Sequence, residues 1–116
     1  MARVTGYQFG RVTVDGEEHR RDLIVLPRRV ERDWWRRDGH SLVIEDLEEV
    51  AGELPERLIV GCGADGRLRP DPSVAKALAR RGVEMEALPT AEAVRRYSEL
   101  EAQNPAAVAA ALHLTC

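Results

Sequence analysis

Between residues 58 and 100 the sequence alternates short apolar runs with segments of helical period, and this alternation limits the fold more than any other feature. The run Leu58-Ile59-Val60 predicts a buried strand. A helix with Asp71 as its cap and Pro72 at its first position is expected to follow. Residues 83–88 predict the next strand. Strands and helices in alternation are typical of an α/β domain with parallel strands.

Two helices flank the strand predicted at residues 83–88. The first is expected to end at Gly82, and the second to follow Pro89 with Thr90 as its cap. Apolar residues predict the side chains that point inward, which are Val74, Ala75, Leu78 and Ala79 in the first helix and Ala93, Val94, Tyr97 and Leu100 in the second. We therefore expect both helices to pack on a sheet.

The first 26 residues predict a β-hairpin. Residues 7–14 alternate apolar and polar side chains in the strand period, and Asp15-Gly16 supplies a turn that accepts positive φ. The returning strand is expected from Glu18 to Leu26. Its continuous apolar run at 23–26 suggests burial on both faces, so this strand should lie near the centre of a sheet.

A third helix with a strongly acidic outer face is predicted to begin at Ser41 or Glu45 and to stop at Gly52 and Pro55. Its apolar residues at helical spacing are Ile44, Leu47 and Val50, and its outer face carries Glu45, Asp46, Glu48, Glu49 and Glu53. A solvated face is the simplest interpretation. Pairing of these acids with the arginine cluster of this or another copy is an alternative, so a homo-oligomer is conceivable.

The alanine-rich tail at residues 106–116 is ambiguous when only its own residues are considered. Five alanines favour a helix by propensity, whereas residues 108–114 form an apolar run that has the length of a buried strand. Asn104-Pro105 separates the tail from the preceding helix.

The composition fits one globular domain. The 116 residues, 44% hydrophobic and 32% charged, supply one core, so we expect a single domain over residues 1–116. A net charge of -3 disfavours nucleic acid and membrane surfaces as partners. Cys62 and Cys116 are too few for a secreted disulfide scaffold, and residues 1–6 contain no apolar leader. We expect a cytoplasmic protein.

A glycine-rich loop at residues 61–66 matches the spacing G-x-G-x-x-G of loops that hold a pyrophosphate at a helix N-terminus. Residues 67–70 separate the third glycine from the next helix, so the context of a dinucleotide site is missing. A weaker hypothesis is a site for a small anion or nucleotide-like ligand, with candidate residues Gly61, Gly63, Asp65, Gly66, Arg67 and Arg69. Alternatively, the glycines only shape a turn.

Residues 28–40 follow neither the strand nor the helix period and are rich in tryptophan and arginine. These residue types are frequent in protein-binding hot spots and in stacking sites for single-stranded nucleic acid. Interleaved Glu31, Asp33 and Asp38 leave residues 31–38 nearly neutral, which disfavours nucleic acid, and at least one tryptophan should belong to the core. The candidate partner-binding residues are Trp34, Trp35, Arg36, Arg37 and His40.

No catalytic or metal-binding constellation stands out in the sequence. His113 and Cys116 lie three residues apart, and in a strand an odd separation places side chains on opposite faces. His19 and His40 lie far from His113 and Cys116 in the sequence, so no zinc site or catalytic dyad is indicated. We therefore expect no catalytic residues, no metal and no cofactor. Cys62 could meet Cys116 if their strands were neighbours, although a free buried thiol is the expectation.

Several motifs spread along the chain resemble one known family. They are Tyr7-Gln8-Phe9-Gly10, Asp15-Gly16, residues 34–40, Asp46-Leu47-Glu48-Glu49, Gly61-Cys62-Gly63, Leu88-Pro89-Thr90 and residues 110–116. The chain resembles the adipogenesis-associated MTH-domain family, small proteins of mostly unknown function that include a mitochondrial assembly factor for respiratory complex I. The Trp-Trp-Arg-Arg segment and the His-Leu-Thr-Cys ending are the specific motifs.

The resemblance implies a three-layer α/β fold around a mixed central sheet of about five strands, with an N-terminal β-hairpin. It also implies that the tail is a buried strand that runs antiparallel to its neighbours. The family offers no established catalytic residues to transfer to this chain. The expected function is a non-enzymatic protein-interaction or assembly-support module that uses residues 34–40. The alternative is a ligand binder or enzyme that uses the loop at 61–66.

Overall fold

A computed structural model of the chain describes residues 3–116, so the absence of a leader at Met1 and Ala2 lies outside the described residues. The strands are β1 Val4–Gln8, β2 Arg11–Val14, β3 Glu17–His19, β4 Leu23–Val25, β5 Val30–Glu31, β6 Ser41–Leu42, β7 Arg57–Cys62, β8 Arg69–Pro70, β9 Glu84–Leu88 and β10 Val108–His113. The helices are the acidic helix, a 3-10 helix at Ile44–Glu53, then α1 Pro72–Arg80, α2 Thr90–Gln103 and a short 3-10 turn at Pro105–Ala107.

The centre of the molecule is a mixed five-stranded sheet in the order β5-β4-β10-β7-β9. The predicted fold class is confirmed, and the tail is the buried middle strand β10. β10 runs antiparallel to β4 and parallel to β7, so the expectation that it is antiparallel to its neighbours was wrong for one of them. The reason is the crossover through α2, which returns the chain in the direction of β7 and β9.

Both faces of the central sheet are covered, which produces three layers. On one face Val60, Ala109 and Ala111 pack against the acidic helix and α1. On the other face Ile59 and Ala110 pack against α2 and a separate three-stranded sheet, β1-β2-β3. Small side chains in the middle strand leave room for covering layers on both sides, and this tertiary gain overrides the helix propensity of alanine.

The N-terminal hairpin is confirmed, with different strand boundaries. Val14 pairs with Glu17 across Asp15-Gly16, whose φ angles are 51° and 83°. The predicted strand at 7–14 is divided by a turn at Gly10, which has φ 82° and donates its amide to the Leu114 carbonyl at 2.8 Å. The predicted returning strand is also divided, because β3 belongs to the N-terminal sheet and β4 to the central sheet.

The cap predicted for α1 is confirmed, and three other points of the helix predictions are corrected, one of them within α1. Asp71 caps α1 by accepting the Ser73 amide, but Ala75 and Ala79 are exposed instead of inward. The acidic helix has 3-10 geometry. Thr90 is the first residue of α2 and makes no capping bond, so its predicted role as a cap was wrong. No helix among residues 3–116 has the length and apolar character needed to cross a membrane.

The Thr90 hydroxyl instead joins the end of β7 to the end of β10. It accepts the Gly63 amide at 2.8 Å after β7 and donates to the His113 carbonyl at 2.6 Å at the end of β10. The residue is fully buried, so no water replaces either bond when the hydroxyl is lost.

We predict that Thr90→Val lowers the free energy of unfolding by about 2–4 kcal/mol, because a buried amide and a buried carbonyl both lose their partner. Urea denaturation followed by circular dichroism measures the change. Thr5→Val in exposed β1 is the matched control and should stay within about 0.5 kcal/mol of the wild type. Equal effects of the two substitutions would contradict the role assigned to Thr90.

Candidate functional site

The tryptophan segment, residues 34–40, alternates between buried and exposed side chains in its first half. Trp34 and Arg36 are each 8% exposed, whereas Trp35 is 75% exposed and Arg37 is also exposed. This alternation has the period of extended backbone. Of the five predicted partner-binding residues, Trp35, Arg37 and His40 are therefore available at the surface, and Trp34 and Arg36 anchor the segment from inside.

Asp46 of the acidic helix holds one side of this segment. Its carbonyl accepts the Trp34 indole N–H at 2.9 Å, and its carboxylate accepts the amides of Arg37 at 3.3 Å and Val43 at 3.0 Å. Asp46, predicted to lie on the solvated face, is therefore half-buried and ties the helix to the segment.

Asp22, just before β4, holds the other side. Its carbonyl accepts the Trp34 amide at 2.8 Å, and its carboxylate accepts Arg36 at 2.9 Å and the Leu114 amide at 2.9 Å. The Arg36 guanidinium also lies 4.6 Å from the centre of the Trp34 ring. The segment is thus fixed to the sheet at the same point as the end of β10.

His113 completes this buried cluster. Its Nδ1 lies 2.7 Å from Oδ2 of Asp22. Because an ionised carboxylate only accepts hydrogen bonds, the ring is the donor of this one. Nε2 of His113 and two nitrogens of Arg36, Nε and Nη1, have no hydrogen-bond partner among residues 3–116. The exposed His40 ring stands edge-on to His113, with ring centres 6.4 Å apart.

Burial alone would raise the pKa of Asp22, but hydrogen bonds from His113, Leu114 and Arg36 outweigh it and lower that pKa below its usual 3.8. Sequence reasoning missed Asp22 as a functional position. The only local signal is a carboxylate placed directly before a fully buried strand, and its partners at 36 and 113 are remote in sequence.

A groove separates the exposed part of the tryptophan segment from the acidic helix. It has a volume of about 320 Å³. The lining combines apolar and acidic side chains with one arginine: Ile24, Glu31, Asp33, Trp34, Trp35, Arg37, Glu45, Asp46, Glu48, Glu49 and Val50. Six carboxylates against one guanidinium make the groove strongly negative.

The other predicted site, the glycine loop at 61–66, is held by contacts within the chain. The amides of Gly63 and Ala64 donate to Thr90 Oγ1 and to the Thr115 carbonyl, at 2.8 and 2.7 Å. The Gly66 amide donates to the Gly63 carbonyl at 3.2 Å. A side chain at Gly63 would come within 2.8 Å of the C-terminal backbone, so this glycine is required by packing.

The charged candidates of this loop are exposed and lie at its outer edge. Arg67 is 3.9 Å from Asp65, and Arg69 lies in β8, where its amide donates to the His40 carbonyl at 2.9 Å. Gly61 is buried beneath Leu112 and Thr90. The structure thus brings the loop next to the tryptophan segment through Arg69 and His40, and a ligand at the loop stays a prediction.

Neither cysteine takes part in a disulfide. Cys62 is buried at the end of β7 and Cys116 is half-buried, and their strands β7 and β10 are neighbours. Burial raises the pKa of the Cys62 thiol, which disfavours the thiolate needed of a nucleophile or metal ligand. Within residues 3–116, no group of three or more His, Cys, Asp or Glu side chains is placed to hold a metal ion.

The lowered pKa of Asp22 yields a pH-dependent stability. A carboxylate with a lowered folded-state pKa stabilises the fold above pH 3.8, and that contribution is lost as the pH falls through the folded value. We predict that Asp22→Asn costs about 2–4 kcal/mol near neutral pH and that this gap narrows below pH 3.8, in urea denaturation at a series of pH values. Exposed Asp65→Asn is the control and should cost less than about 1 kcal/mol near neutral pH. A gap for Asp22→Asn that stays constant down to acid pH would contradict the prediction.

Known proteins resemble this chain over nearly its whole length. A family model described as a protein of unknown function, DUF498/DUF598, matches residues 4–113. A conserved hypothetical protein from Pyrococcus horikoshii OT3, PH1505, is 28% identical, with a TM-score of 0.78 over 98% of this chain and 99% of that one. A protein named MT938 is 32% identical, with a TM-score of 0.76 over 100% of both chains.

A Bordetella pertussis protein described as a Mth938-like domain is 22% identical, with a TM-score of 0.73 over 97% of this chain and 85% of that one. At this identity the likeness concerns the fold alone. It agrees with the MTH-type resemblance of the sequence motifs. The chain therefore belongs to the DUF498/DUF598 family of proteins of unknown function.

Proposed function

We propose that this chain is a protein-interaction module whose binding face is the groove between the tryptophan segment and the acidic helix. The observation that carries the proposal is the 75% exposure of Trp35 between two buried, hydrogen-bonded neighbours. An exposed tryptophan on ordered backbone supplies a large contact area and little conformational entropy is lost on binding.

The surroundings of Trp35 support a protein partner over the other classes considered. The groove carries six carboxylates, which repel the phosphates of a nucleic acid. The amides of Gly63, Ala64 and Gly66 are engaged within the chain, which weakens the case for an anion at the glycine loop. The role is that of a binding or assembly-support module, with no catalytic step assigned to it.

Photo-crosslinking tests the proposal next to the residue that carries it. A benzoyl-phenylalanine placed at position 37, which is exposed, lines the groove and leaves Trp35 in place, should form one discrete adduct in a lysate of the source organism. Excess wild-type protein should suppress this adduct, whereas excess Trp35→Ala should compete at least about tenfold less well, because tryptophan hot spots contribute about 2 kcal/mol or more. The readout is adduct yield against competitor concentration.

Phe9 offers a matched control, because it is the other large apolar side chain with high exposure, at 64%. Phe9→Ala should compete as well as the wild type. Both alanine variants should unfold within about 0.5 kcal/mol of the wild type, since each side chain is exposed. If Trp35→Ala competed as well as the wild type, the groove would not be the binding face.

A further inference from the structure

The acidic helix presents three carboxylates toward the groove with no internal counter-charge. Glu45, Glu48 and Glu49 line the groove and are exposed, and none of them makes an ion pair within residues 3–116. The other acids there are engaged: Glu31 with Arg29 at 2.5 Å, Asp33 with Arg21 at 3.9 Å, and Asp46 in backbone hydrogen bonds.

We propose that the segment bound in this groove is cationic and contains arginine, an inference that rests on the proposed function and names the chemistry of its partner. The indole of Trp35 stands at the groove beside these free carboxylates. A guanidinium can stack on an indole and at the same time donate a bidentate pair of hydrogen bonds to a carboxylate. The compact, strongly hydrated ammonium of lysine satisfies only the charge.

The chain itself uses this combination one residue away. Inside the fold, the Arg36 guanidinium lies 4.6 Å from the Trp34 ring centre and 2.9 Å from an Asp22 oxygen. At the surface, Trp35 supplies an indole and the acidic helix supplies the carboxylates that line the groove, but no guanidinium within residues 3–116 is paired with these carboxylates. Arg37 lines the groove, yet its side chain makes no ion pair within the described chain.

Three peptides test the inference: acetylated, amidated hexapeptides that alternate glycine with arginine, with lysine, or with citrulline, the neutral isostere of arginine. NMR spectra of the two indole N–H groups report binding at Trp35. We expect the arginine peptide to bind about threefold more tightly than the lysine peptide and at least about tenfold more tightly than the citrulline peptide. Its affinity should also fall several-fold between about 20 mM and about 300 mM salt.

Paired charge variants locate the contact. Glu48→Gln with Glu49→Gln should weaken the arginine peptide at least about fivefold, because the free carboxylates of the groove are removed. The matched control, Glu92→Gln with Glu99→Gln on the exposed face of α2, removes the same charge on the other side of the sheet and should leave the affinity unchanged.

The outcomes separate the inference from the proposed function. Equal binding of the citrulline peptide, or no loss in the Glu48 and Glu49 variant, overturns the cationic partner while the crosslinking result at position 37 still stands. Loss of self-association at raised salt in sedimentation runs would assign the groove to arginines of a second copy, which also overturns a separate partner. An arginine peptide that binds Trp35→Ala as tightly as the wild type removes the stacking contact on which the inference depends.

Discussion

The carboxylate of Asp22 is the point on which the functional end of the molecule depends. It accepts hydrogen bonds from Arg36, His113 and the Leu114 amide, which belong to segments far apart in the chain. A buried charge of this kind is tolerated only while its partners stay in place. The same contacts therefore fix the end of the middle strand and the start of the tryptophan segment together. The position of the tryptophan segment, which forms one wall of the groove, therefore depends on this cluster.

A second constraint comes from the small residues at the middle of the sheet. Gly61 lies beneath Leu112 and Thr90, where an added side chain would come within 3.0 Å of both. Ala109 and Ala111 face the acidic helix, and Ala110 faces α2. This close approach lets a single threonine hydroxyl connect the ends of β7 and β10. Direct hydrogen bonds consequently join the ends of β7 and β10 and restrain the loops that follow these two strands.

Much of the fold was predictable because its signals are local. The strand at 58–60, the Asp71 cap and the Asp15-Gly16 turn each depend on neighbouring residues, and each was found where it was expected. The predictions that were wrong involve long-range contacts. Thr90 has the sequence of a cap, but its hydroxyl bonds to the chain at the ends of β7 and β10. The direction of β10 relative to β7 depends on a crossover and not on the residues of β10.

The candidate site was predictable only in part, for the same reason. The composition of residues 34–40 identified the segment and indicated that one tryptophan belongs to the core. Which tryptophan it is depends on Asp22 and Asp46, which bond to Trp34 from opposite sides and leave Trp35 outside. Asp46 was predicted as one of several acids on a solvated helix face. The sequence gives no signal for Asp22 except its place before a buried strand.

The residues that position the tryptophan segment differ from the exposed residues that line the groove. Residues 22, 34, 36 and 46 set the position of the segment, whereas the exposed side chains at 35, 48 and 49 line the groove. Because these three side chains are exposed, substitutions there would change the preferred partner of the proposed module at little cost in stability. In the proposed module, specificity is then determined by a few exposed side chains on a frame that the half-buried Asp22 and Asp46 hold constant.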